Sequence, residues 1–159
     1  MRIELIHPMI VHFPLALLFT GVGFKVVSFF LRDTSFYRYV EVASWMVLSL
    51  GVCFAWLAIL SGEFAYDIEK KNLCKEDVLN KHAFLAYTTA FLFTAALLLD
   101  FGRAWMKKMR LFSNKVVFVI NFLLFLSGTI FLIFTGAFGG ILVFEQGAAV
   151  ERCCKTVRL

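Results

Sequence analysis

Four runs of apolar residues, each close to twenty long, decide what this chain can fold into. They cover about Met9 to Leu31, Val42 to Ser61, Ala83 to Leu99 and Val116 to Phe138. A hydrocarbon core of about 30 Å takes roughly 20 helical residues to cross. Within it every backbone N–H and C=O must be satisfied inside the chain, so the runs are expected as helices rather than strands. The connections are short: a polar turn from Arg32 to Glu41, a longer one from Glu63 to His82, and a basic one from Arg103 to Lys115. Short connections make successive helices antiparallel. The fold class read from the sequence is an all-α integral membrane protein, a four-transmembrane-helix up-down-up-down bundle. Residues 1–150 form its single domain and residues 151–159 a short polar tail.

Composition excludes the competing classes. With 61% hydrophobic residues, 20 Phe and a mean hydropathy of +0.84 in 159 residues, the chain is too apolar for a soluble domain. The formal charge of +5 fits membrane topology; with no basic groove interleaved with aromatics, no nucleic-acid partner is expected. The lipid bilayer is the expected partner, with other membrane or redox subunits beside it. A single Arg2 ahead of Glu4, an apolar run too long for a signal-peptide core and no small-x-small cleavage site make the first run a retained helix.

The stretch His7-Pro8-Met9-Ile10-Val11-His12-Phe13-Pro14 opens the first helix with two imidazoles and two prolines. Pro8 suits a first helical turn. Pro14 lies further in, where it clashes with the carbonyl of Ile10, so it is expected to kink the helix or delay its regular start. The up-down-up-down order then gathers His7, His12, Glu63, Asp67, His82, Gly139, Gly140 and Glu145 at one membrane face. All three histidines of the chain are in that group. The opposite face holds Arg32, Arg38 and the basic loop with Arg103, Lys107, Lys108, Arg110 and Lys115. That compact loop is the strongest cytoplasmic signal, so both termini are expected outside.

Three other features carry expectations. Gly136 and Gly140 form a small-xxx-small pair that would admit a second backbone or a flat ligand, and Ile141 to Phe144 after them reads as a re-entering or interfacial segment. Lys25 and Asp100 lie at similar depth on the first and third helices, and are expected to pair because an unpaired charge there is costly. Cys53 reads as a small packed apolar residue within the second helix. In an oxidising compartment Cys74 would bridge to Cys153 or Cys154; on the cytoplasmic side those thiols would stay reduced.

HPMIVHFPLAL at the first helix, Ser61-Gly62-Glu63 closing the second, His82 opening the third and GGILVFEQG closing the fourth together resemble the bacterial membrane family filed as domain of unknown function 2231. The resemblance spans roughly residues 6–150. The family's closing pattern resembles Gly-Gly-x-Leu-Val-Tyr-x-x-Gly, so Phe144 stands in place of a tyrosine and Gln146 where a histidine is often seen. The resemblance implies a four-helix protein of the bacterial inner membrane, in a family some of whose members are linked to redox modules such as Rieske domains.

Three functions fit these residues. One is binding of a b-type haem for electron transfer, with His12 and His82 as axial ligands from diagonal helices, His7 nearby and Gly136, Gly139 and Gly140 giving the macrocycle room. The second is a metal or proton site built from His7, His12, His82, Glu63 and Asp67, a donor set suited to zinc, iron or copper. The third is a non-catalytic structural or accessory subunit whose polar cluster ties helix ends together. No nucleophile arrangement or phosphate-binding loop stands out, and the chain is not expected to be an enzyme on its own.

Overall fold

The structure, a computed structural model, describes residues 5–70, 76–109 and 114–148, and the side chains of these except 104–109, 114 and 115. Among the described residues there are five α-helices in chain order: α1 (Ile6–Ile10), α2 (His12–Phe30), α3 (Tyr37–Glu69), α4 (Glu76–Met109) and α5 (Asn114–Phe144). Among the described residues, four spans are long and apolar enough to cross a membrane: Ile6–Phe30, Tyr37–Glu69, Glu76–Arg103 and Val116–Phe144. The protein is an all-α four-helix membrane protein. The first span is the one in two pieces. The regular helix is interrupted at Val11, next to the Ile10 carbonyl to which Pro14 has no N–H to donate, while Val11 itself still donates to His7 and accepts from Leu15.

The helices close a ring in sequence order. The α2–α3 and α4–α5 hairpins are the tightest pairs, α3 packs on α4, and α5 returns to α2. Each span carries a stripe of buried or half-buried residues spaced alternately three and four apart, save for one seven-residue step from His7 to Pro14. The stripe runs His7, Pro14, Leu18, Gly21, Lys25 and Ser28 through α1 and α2, and Ser44, Leu48, Gly51, Ala55, Ala58 and Gly62 along α3. On α4 it runs His82, Ala86, Thr89, Phe93, Ala96 and Asp100, and on α5 Asn121, Phe125, Gly128, Leu132, Thr135 and Gly139. A 3.5-residue period keeps one seam facing its partners along the whole length of a bundle. Within the seam small residues admit large ones. A Cβ on Gly21 would lie 2.6 Å from Leu48 Cγ, and one on Gly51 would lie 2.8 Å from Leu18 Cδ2, so each glycine receives the other helix's leucine. Leu18, Leu48 and Phe93 are fully buried at the centre.

Several expectations change. The helices outlast the apolar runs, because a polar flank at the interface can continue the backbone ladder already started in lipid. Glu41 therefore sits inside α3 and not in a turn. Residues Ile141 to Phe144 continue α5 instead of re-entering: the ladder passes unbroken through Gly139 and Gly140, and the chain turns at Gly147, which takes φ 70°. Cys53 is exposed on the outer surface of α3, off the buried stripe. Cys74, Cys153, Cys154 and the 151–159 tail lie outside the described residues.

Candidate functional site

At the face that gathers the histidines, His7 and His82 come together. Their rings lie 6.3 Å apart between centroids and nearly perpendicular, at 82°. Each belongs to a different helical hairpin and each is oriented by its own neighbour. His7 Nδ1 donates to the Ala58 carbonyl on α3 at 2.9 Å, and the Ser61 hydroxyl donates to the same carbonyl at 2.9 Å. His82 Nδ1 donates to the Thr135 carbonyl on α5 at 3.1 Å. A carbonyl only accepts, so the Nδ1 atoms carry the protons; in the neutral ring that leaves each Nε2 with its lone pair. Glycines make this possible. A Cβ on Gly62 would stand 3.0 Å from His7 Cε1, and one on Gly139 would stand 3.2 Å from His82 Cε1.

The site differs from the sequence reading at three points. His12, expected opposite His82, is exposed, and its Nδ1 donates to the Pro8 carbonyl of its own span at 2.8 Å. The reason is helical phase: His7 is seven residues before buried Pro14 and shares its face, whereas His12 is two residues before it and points away. The five-residue metal set is not formed either. Glu63 accepts a hydrogen bond from the Tyr87 hydroxyl at 2.9 Å and Asp67 is exposed, and among the described residues no three His, Cys, Asp or Glu side chains converge as metal ligands. Of the three glycines expected to make room for a ligand, Gly136, Gly139 and Gly140, it is Gly139 that lies against a histidine. Gly136 is exposed, with Leu15 Cδ1 3.6 Å from where its Cβ would be, and a Cβ on Gly140 would meet Phe144 of its own helix at 4.0 Å.

Two more bonds cross the seam here, Tyr87 to Glu63 and the Tyr66 hydroxyl to Asn80 Oδ1 at 2.6 Å. Neither tyrosine featured in the sequence reading, since a tyrosine near a helix end carries no signal of its partner.

At the opposite end of the same seam, Lys25 pairs with Asp100, as expected, and also with Glu41 at 2.5 Å. Asp100, 1% exposed, further accepts from Trp45 Nε1 at 2.7 Å and Asn121 Nδ2 at 3.0 Å, and Arg103 lies 3.3 Å away. The Ser28 hydroxyl completes the Glu41 carboxylate at 2.8 Å. Two cations meet two carboxylates, so the group is neutral as a whole, and all four spans contribute to it.

Residues 4–152 of the chain are matched by the family described as predicted membrane protein (DUF2231). The chain belongs to that family. Its match takes in both ends of the seam, including His7, His82, Lys25 and Asp100. No curated protein and no solved structure matches the chain.

Proposed function

We propose that this membrane protein is an electron-transfer subunit in which His7 and His82 are the two axial ligands of a b-type haem. The observation that carries the reading is the spacing of the two rings. Imidazoles bonded at about 2 Å to opposite faces of one metal have their centroids about 6 Å apart, against 6.3 Å here. The bonding pattern supports it too: metal-ligating imidazoles donate their other N–H to a carbonyl, which fixes tautomer and ring orientation, and Ala58 and Thr135 supply those carbonyls. When bound, a haem would supply a one-electron iron couple whose potential burial and outer-shell bonds tune. The chain's own part is to orient both rings and to hold them between two hairpins. In the same reading the protein lies in a bacterial inner membrane with both termini outside, alongside a redox partner subunit.

The test is an absorption spectrum of protein purified from haem-replete membranes, oxidised and then reduced. The expected result is a Soret band with resolved α and β bands, lost in His7→Ala and in His82→Ala and kept in His12→Ala. Protein without a Soret band overturns the reading, and elemental analysis of the same preparation tests a non-haem metal. If both are absent while His82→Ala still loosens the bundle, the pair is a structural tie between hairpins.

A further inference from the structure

Beyond both ends of the seam, one cation on the basic face stands apart. The Arg32 guanidinium lies 5.3 Å from the Phe29 ring centroid and 5.2 Å from that of Phe118, and Arg103 approaches the same Phe118 ring at 5.4 Å. Lys25 and Arg103 are balanced by Glu41 and Asp100. Arg32 is exposed and pairs with no carboxylate among the described residues; its partners are the two rings. A guanidinium stacked on a ring uses its face and leaves its edge N–H groups free, in the fork that matches a phosphate.

We propose that Arg32, Arg103 and the Phe118 ring they share form the headgroup site of an anionic phospholipid. The position favours a lipid over a soluble phosphate. Arg32 follows the end of α2 at Phe30, and Phe118 is in the second turn of α5, so the site lies at the boundary where lipid phosphates stand. Below it the surface is apolar and outward-facing: Phe29, Phe30 and Val119 are 48%, 76% and 53% exposed, a wall on which acyl chains would lie.

The test uses the full chain in detergent micelles, with native mass spectrometry reading bound lipid after titration with phosphatidylglycerol or phosphatidylcholine. Wild type is expected to retain phosphatidylglycerol in preference to phosphatidylcholine, and millimolar inorganic phosphate should not displace it. Arg32→Gln should weaken phosphatidylglycerol retention about tenfold or more, the worth of one hydrogen bond between charged groups. Phe118→Leu should weaken it as well, since both guanidiniums lose their platform. Arg38→Gln, at an exposed arginine on the same face with no ring contact, should leave it unchanged. Equal losses in Arg32→Gln and Arg38→Gln would reduce the effect to diffuse charge and overturn the site. So would equal retention of the two lipids by wild type, and displacement by inorganic phosphate would overturn the lipid assignment.

Discussion

The two ends of one buried seam handle polar groups in opposite ways. At the Lys25–Asp100 end, opposite charges meet, and Asp100 is surrounded by an ammonium, a guanidinium, an indole N–H and an amide. At the His7–His82 end the groups have one bond each to backbone carbonyls and a nitrogen left over on each ring. A network of paired charges fixes how the helices register against each other. A pair of anchored rings with unused lone pairs has capacity for something else. Both ends lie on the same 3.5-residue stripes, so the contrast comes from residue chemistry and not from burial.

The sharpest way to break the comparison is Asp100→Asn. Removing one partner of a buried ion pair costs about 3–5 kcal/mol, and here it leaves two cations, Lys25 and Arg103, to one carboxylate, Glu41, which stays on Lys25. Thermal unfolding in detergent should show a large loss in wild type and a clearly smaller one in a Lys25→Met background. Equal losses in the two backgrounds would mean that Lys25 reaches the interface by itself and does not depend on the carboxylate. At the other end, His82→Ala removes one bond and some packing, a loss of about 1 kcal/mol, while His12→Ala, exposed and bonded within its own span, should stay within about 0.5 kcal/mol of wild type. A histidine loss as large as that of Asp100→Asn would make the two ends alike.

Glycine substitutions should have small effects that differ between the two positions. Gly140→Ala gains up to about 1 kcal/mol of helix propensity with only Phe144 at contact distance, so its unfolding temperature should hold or rise. Gly139→Ala sets the same gain against a Cβ pressed to 3.2 Å from the His82 ring. Its stability should fall below that of Gly140→Ala, and any Soret band should weaken with it. The same unfolding temperature for both would show that the His82 ring yields freely.

Helix number, the antiparallel order and the membership of each face follow from the positions of the apolar runs, since lipid leaves the backbone no alternative to helices. The Lys25–Asp100 pair was legible for the same reason: two opposite charges at equal depth on parallel helices have few other partners. The stripes were present in the sequence as well. Counting back from Leu18 and Pro14 by four and seven leads to His7, and the same spacing joins His82 to Phe93 and Asp100. Motif prominence pointed to His12 and to the Gly136–Gly140 pair, whereas helical phase selects His7 and Gly139.

What the tertiary structure alone decided is where the seam's bonds end. That Glu63 is taken by Tyr87, that Ala58 and Thr135 orient the imidazoles, and that Trp45, Asn121 and Arg103 join Lys25 at Asp100 all depend on the rotation of each helix about its axis. Sequence spacing gives the direction of a side chain relative to its own helix. The partner it meets depends on how four such helices turn toward one another, and leucines entering the gaps beside Gly21 and Gly51 fix this for α2 against α3, as Phe93 beside Gly128 does for α4 against α5.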